Sequence, residues 1–279
     1  MMEQSIIAVV VVYHPDTNLL IQNIEAFVDE VDKLVIWLNS PIDKSLFLGK
    51  KYWNKIDFAN NGNNTGISKA LNYVYHQAEK LGFNYLLTMD QDSIWIDFEK
   101  FREFVFKKNR EKPWIIGPGI VYSREGVKEV DRNSFLKDDW AITSGMLIPV
   151  DILKEIGGYN EFFKVDGIDI DVCLRAKRRG FFTCQSFSGI LIQRFGETKR
   201  KCGFIIREYN AQRLYCIVKS HVILYRTYKN IAILKELCDC LKMGFLSAIF
   251  IRRRRINKLK SIITGITEGI FTKYEVKTE

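Results

Sequence analysis

Apolar positions in the first half of the chain follow two alternating rhythms. Residues 6–13 form an unbroken, largely β-branched run, the pattern of a strand covered on both faces, and Pro15 with Asp16 then supplies a turn and a helix start. Leu20, Ile24, Phe27, Val28 and Val31 keep helical spacing, which predicts a helix up to Asp32. KLVIWLN at 33–39 reads as a second strand and 56–59 as a short third. The polar stretch NNGNNTG at 60–66 opens a helix whose apolar positions are Ile67, Leu71, Val74 and Ala78. NYLLTM at 84–89 is a fourth strand and runs into Asp90-Gln91-Asp92. Strands alternating with helices predict an α/β fold with a mostly parallel sheet flanked by helices.

The middle is less regular. Residues 114–120 and 127–132 are candidate short strands and 141–149 a longer one; a helix from Asp151 stops at Gly157 and Gly158. Another helix is predicted over 169–179, closed by Gly180. Beyond about residue 200 the chain turns helical, aromatic and basic with no Pro/Gly/Ser linker, so the tail is expected to pack on what precedes it. The expected division is an α/β domain over 1–200 and a helical, basic extension over 201–279.

Composition narrows the class. A chain of 279 residues, 47% hydrophobic and 27% charged, is not disordered in the main and can bury a full core. The net charge of +9 favours anionic partners. Nucleic acid is not expected among them, because no RNA-binding or helix-turn-helix signature is present and the excess charge comes late. The six cysteines all lie in the second half with no CxxC pair, which reads as reduced, structural thiols in a cytosolic chain. The first apolar run lacks a signal peptide's basic flank and cleavage site, so export is not expected. The apolar stretch 244–251 is far shorter than the roughly 20 residues that span a bilayer.

In open α/β sheets ligands bind beyond the carboxyl ends of the strands. Asp90 and Asp92 stand at such an end, and two carboxylates this close repel unless a cation lies between them. Magnesium or manganese suits the arrangement, since such ions complete their shells with water and phosphate oxygens. Taken alone, the triplet is either a cation site or a solvated turn. A second acidic group, Asp166, Asp169 and Asp171, lies at a helix start, where carboxylates either cap the helix or, if one points into a cleft, act as a general base.

The series VVYHPD, Asn39, NNTGISKALN, LLTMDQDS, TSGMLIP, GGYNEFF and DGIDIDVCLRAKRRGF, spread in order over roughly residues 5–215, resembles glycosyltransferase family 2 and its bacterial rhamnosyltransferase-like members. The resemblance implies a GT-A fold that binds a nucleoside diphosphate sugar and inverts the anomeric centre. It places Tyr13 and Asn39 in the nucleoside pocket, and Asn64 and Gly66 in the loop after the third strand. Asp90 and Asp92 match the metal-binding DxD for Mn2+ or Mg2+, with Asp92 the direct ligand. Ser144 and Gly145 match the segment beside the donor diphosphate and sugar, and Asp169 matches the catalytic base. The segment 205–219 resembles an element at the active-site mouth, from which Arg207 and Arg213 approach an acceptor diphosphate; Asp171 and Gln193 are further candidates on that side.

Three positions depart from the family. Leu38 stands where aspartate usually precedes the nucleoside-site asparagine, Ile168 where glutamate precedes the catalytic aspartate, and Gln193 where an HxxG histidine often completes the metal site. The implied activity is transfer from dTDP-rhamnose or a UDP-hexose to a hydroxyl of a lipid-linked saccharide in surface polysaccharide synthesis. The competing class is a non-catalytic nucleotide or glycan binding module on the same fold.

No acidic residue occurs between Asp239 and Glu268, while Lys242, Arg252, Arg253, Arg254, Arg255, Lys258 and Lys260 do. This segment follows Leu241, Phe245, Leu246, Ile249 and Phe250, which share a helical face. Adjacent apolar and cationic elements mark an interfacial helix, so the expected location is cytoplasmic and peripheral, on an anionic membrane surface. The alternative is that the apolar face packs on the catalytic domain.

Overall fold

The computed structural model describes residues 4–110, 112–122, 131–193, 198–201, 204–207, 209–250 and 255–277, with the side chains of 198–207 left aside. Its strands are β1 (Ile6–Val12), β2 (Lys33–Leu38), β3 (Ile56–Ala59), β4 (Tyr85–Asp90), β5 (Ile94–Ile96), β6 (Trp114–Tyr122), β7 (Phe135–Asp138), β8 (Met146–Pro149), β9 (Phe182–Gln193), β10 (Thr198–Lys201) and β11 (Phe204–Arg207). Its helices are α1 (Thr17–Glu25), α2 (Ile67–Leu81), α3 (Phe98–Lys108), α4 (Val150–Glu155), α5 (Ile168–Arg178), α6 (Ala211–Tyr228), α7 (Ile231–Phe250) and α8 (Arg255–Phe271). Contacts divide the chain into an α/β unit, residues 1–164 and 168–194, and a helical unit made of 165–167 and 195–277.

The α/β unit is built on one mixed sheet of order β3-β2-β1-β4-β8-β6-β9-β5, with β7 also pairing β9. β3, β2, β1 and β4 are mutually parallel, as the strand-helix alternation predicts. β8 runs antiparallel to both β4 and β6, and β6 and β9 are parallel to each other. The start of β8 therefore meets the carboxyl end of β4. Ile6, Ala8 and Val10 of β1, Leu34 and Ile36 of β2, and Leu87 of β4 join Leu20, Phe27, Phe98 and Phe101 in one core. Both faces of β1 are covered, which is why its run is apolar at every position rather than at alternate ones.

Some expectations are corrected. The helix predicted up to Asp32 ends at Glu25, and the apolar residues beyond it lie around a single 3-10 turn, Val28–Glu30. Phe27, with φ of −143°, breaks the helix yet stays buried. Asp32 instead accepts the Ile6 N–H at 2.7 Å and fixes the start of β1. The strand expected over 141–149 is shorter, since residues 141–145 form a loop ahead of β8. β5, β7 and β9 were not legible as strands, and the candidate strand at 127–132 falls largely outside the described residues. Among the described residues no helix is long and apolar enough to cross a membrane.

The helical unit has its own core of Leu214, Val218, Val222, Leu237 and Ile262. α6 and α8 approach closely because α8 turns Gly265 and Gly269 toward α6. A Cβ on Gly269 would lie 2.7 Å from Val222 Cβ, a distance that packed side chains do not tolerate. Gly269→Ala is expected to destabilise the helical unit by about 1–3 kcal/mol, the usual cost of overpacking, read as a lower denaturation midpoint in urea.

Candidate active site

The residues singled out in the sequence gather at the carboxyl ends of the parallel strands. Tyr13 follows β1, Asn39 follows β2, Asn64 and Gly66 lie in the loop after β3, and Asp90 closes β4. Ser144 and Gly145 precede β8, which the antiparallel register Thr88↔Met146 sets against the end of β4. Gln193 closes β9. Because Ile94 of β5 pairs with Ile192, Gln193 comes level with Ser93, one residue after Asp92.

The end of β4 is fastened from several directions. The Asp90 N–H donates to Ser144 Oγ at 3.3 Å, and Ser144 Oγ donates in turn to Ser93 Oγ at 3.1 Å. Asn23 of α1, fully buried, donates its amide to the Asp90 carbonyl. Gln91 bonds the main chain of Tyr13 twice, accepting its N–H at 2.7 Å and donating to its carbonyl at 3.0 Å. The Gly145 N–H reaches the Thr88 carbonyl at 2.7 Å with φ of +81°, and a Cβ there would meet Pro118 at 2.8 Å and Trp95 at 2.9 Å. Only glycine satisfies both the left-handed backbone and the close approach. Asp90 and Asp92 are thereby held half-buried beyond the strand.

Asn39 organises the neighbouring loop rather than lying open to a ligand. Its buried amide oxygen accepts from Trp37 Nε1 at 3.1 Å, the Thr65 N–H at 3.0 Å and Thr65 Oγ1 at 3.3 Å, and its nitrogen donates to the Gly66 carbonyl at 3.2 Å. Asn64 is exposed and accepts the Gly66 N–H at 3.1 Å. The loop then ties to the approach to α5, where the Ile67 N–H donates to the Lys164 carbonyl at 2.7 Å.

The three aspartates near α5 have separate environments. Asp169 is half-buried in the first turn, with Oδ1 accepting from the Ile170 N–H at 3.0 Å. Asp171, a candidate on the acceptor side, is instead buried and ion-paired to the equally buried Arg175 at 2.8 Å, so it meets no solvent-side ligand. Arg175 also donates to the Ile156 carbonyl, pinning α5 behind α4. Asp166 belongs to the helical unit. Its Oδ1 lies 3.9 Å from Arg213, its Oδ2 is buried without a hydrogen-bond partner, and burial raises its pKa while Arg213 and His221 oppose the rise. Arg213, the other acceptor-side candidate, is therefore engaged with Asp166; the side chain of Arg207 lies outside the described residues.

Asn23, Gln91 and Ser93 were missed by reading the sequence. Asn23 did leave a signal, a polar residue on the apolar face set by Leu20 and Ile24. Gln91 and Ser93 left none beyond their place beside the acidic pair. Cys173 and Cys184 are free thiols, both pushed up to about 12 by burial, as expected of unreactive packing cysteines.

Among the described residues no group of three or more His, Cys, Asp or Glu converges on a point. Asp90 and Asp92 nevertheless fit Mn2+ or Mg2+, which take one or two protein carboxylates and leave the remaining positions to water and phosphate oxygens.

The architecture is a mixed α/β sheet with a parallel half, whose middle strand ends in Asp90-Gln91-Asp92 with Ser144 and Gly145 crossing that end, and it is the fold of known GT-A proteins. Known proteins agree. The chain is 21% identical over 291 residues to the dTDP-rhamnosyl transferase RfbF of Shigella flexneri, covering 96% of each. It is similar in structure to S. aureus TarS 1-349 in complex with UDP-GlcNAc, with a TM-score of 0.61 at 12% identity over 96% of this chain and 81% of that one. It also resembles GalNAc-T7 with UDP, GalNAc and Mn2+, with a TM-score of 0.59 at 10% identity over 96% of this chain but only 56% of that longer one. No family model matches the sequence.

Asn39→Ala would leave the buried Trp37 Nε1–H and the Thr65 N–H without their acceptor. A loss of about 1–3 kcal/mol per stranded donor is expected in equilibrium unfolding. Asp166→Asn should act in the opposite direction. A raised carboxylate pKa means that the folded chain holds the proton more tightly than the unfolded one, so the charged form costs stability above the ordinary carboxylate range, about pH 4. The variant should melt at higher temperature than the wild type at pH 7–8, with the gap closing as pH falls toward 4; equal melting at every pH would show that Asp166 is not strained.

Proposed function

We propose that the chain is a metal-dependent inverting glycosyltransferase. It moves rhamnose from dTDP-rhamnose, or a hexose from a UDP-sugar, to a hydroxyl of a lipid-linked saccharide in surface polysaccharide synthesis at the cytoplasmic face of the membrane. The observation that carries this reading is the pair Asp90 and Asp92, held at the end of β4 by Asn23, Ser144 and the Gln91–Tyr13 clamp. The dTDP in the name of the sequence relative favours the rhamnose donor.

In this reading the ordered ends of β1 and β2 and the loop 60–66 receive the nucleoside, and Asn39 acts through the shape it imposes on that loop. Ser144 and Gly145 bring main chain close to the donor. Asp92 would hold a divalent ion, whose charge would offset that of the leaving diphosphate. Asp169 takes the proton of the acceptor hydroxyl as that oxygen attacks the face of the sugar opposite the diphosphate. One displacement inverts configuration and needs no enzyme nucleophile. Gln193, whose main chain is level with Ser93, would offer the ion or its water a neutral ligand weaker than an imidazole.

Asp92→Asn is expected to remove the dependence of nucleotide binding on manganese, measured by titration calorimetry with and without the ion. Asp169→Asn should bind donor nearly as the wild type does yet transfer about 10²–10⁴-fold more slowly. Equal loss of donor affinity in Asp169→Asn would make it a binding residue. No transfer and no donor hydrolysis by the wild type across a panel of nucleotide sugars with manganese would leave a non-catalytic binding module.

A further inference from the structure

α7 and α8 each present two faces. The first packs into the helical unit: Ile233, Leu237 and Gly244 on α7, with Ile262, Gly265 and Gly269 on α8. The second is apolar and bare. On α8 it runs Ile256, Leu259, Ile263 and Ile270, at spacings of three, four and seven, and these side chains are 38–69% exposed. On α7, Phe245 and Ile249 are 47% and 58% exposed at a spacing of four. The sequence grouped Leu241 with these two, but Leu241 packs on the bundle core, so the bare face of α7 is narrower than expected and that of α8 was not foreseen.

A helix covered only on its core side normally shows polar residues elsewhere. Here large branched and aromatic side chains line a second stripe on both helices, and exposed apolar surface of this extent marks an interaction site. Its charge surroundings select the partner. Residues 231–277 carry ten Lys or Arg against four Asp or Glu. Two of those acids are turned back onto α6, Glu268 to Lys219 and Tyr215, and Glu236 to His221. Lys242, Arg255 and Lys260 stand exposed on the same two helices. A second copy docking by the same face would bring like charges together, because a two-fold contact sets a patch against itself. An anionic bilayer offers the opposite charge to the basic residues and an apolar interior to the stripe.

We propose that the bare flanks of α7 and α8 seat the protein on an anionic lipid surface, with Phe245, Ile249, Ile256 and Ile263 inserted among the acyl chains and Lys242, Arg255 and Lys260 at the headgroups. This extends the reading of a lipid-linked acceptor, but the seating is measured without donor or acceptor, so the two can fail separately.

The test is co-sedimentation of the full chain with vesicles of phosphatidylglycerol and phosphatidylcholine, or of phosphatidylcholine alone, at low and high salt. The wild type is expected in the pellet with the anionic vesicles at low salt, and mostly in the supernatant at high salt or with neutral ones. Phe245→Ser/Ile249→Ser/Ile263→Ser changes exposed residues only. With an unchanged circular dichroism spectrum, it should bind anionic vesicles at least about tenfold more weakly. Lys242→Ala/Lys260→Ala should lose much of the salt sensitivity, and serves as the second variant if the first does not fold. The proposal is overturned if the wild type ignores anionic vesicles, or if either folded variant binds them as the wild type does. It also falls if the serine variant converts a wild-type dimer to monomer in analytical ultracentrifugation while vesicle binding is unchanged, which would make a second copy the occupant.

Discussion

Two aspartates separated by one residue at the end of a buried strand repel each other, and the surrounding structure is arranged to hold them there. In this protein the main chain of β4 is bonded on one side by Asn23, on another by Ser144, and beyond the strand by Gln91 gripping the chain after β1. None of these groups neutralises the acidic pair. They fix the position of the main chain rather than the charge of its side chains. The same need explains the topology locally. β8 turns antiparallel so that the residues before it, Ser144 and Gly145, lie across the end of β4, which a parallel neighbour would not provide.

How far the sequence reveals this follows from the kind of physical signal each element emits. β1, β2 and β4 are covered on both faces, so their apolar runs stand out. α2 shows itself by its stripe of Ile67, Leu71, Val74 and Ala78. β7 has all of its residues exposed and β5 only three residues in all, so neither carries a pattern to detect. β9 mixes Ser186, Ser188 and Gly189 with apolar residues as it bends past Pro118 and Gly119, and that irregularity hides the longest strand of the sheet.

The candidate site divides in a similar way. Asp90, Asp92 and Asp169 are legible through the order of motifs around them, since carboxylates at a strand end or in a helix's first turn also serve as solvated turns and caps. Asp171 looked equivalent to Asp169, yet two residues along a helix turn a side chain to nearly the opposite face, and there Arg175 is its partner. Asn39 was legible as important but not as a loop organiser, since a buried amide that bonds five groups looks, in sequence, like one that waits for a ligand.

The three residues 165–167 are made before α5 but belong with helices that begin more than forty positions later. During synthesis they emerge with no counterpart, and Asp166 faces water until α6, with Arg213 and His221, has left the ribosome. The helical unit is thus discontinuous in the chain and closes on a contact of long sequence separation, which places its completion late in folding. A fragment cut at 194 would keep this short stretch and discard Arg213 and His221, the charged groups near Asp166. The boundary that looks cleanest on paper therefore leaves a loose end just ahead of Asp169.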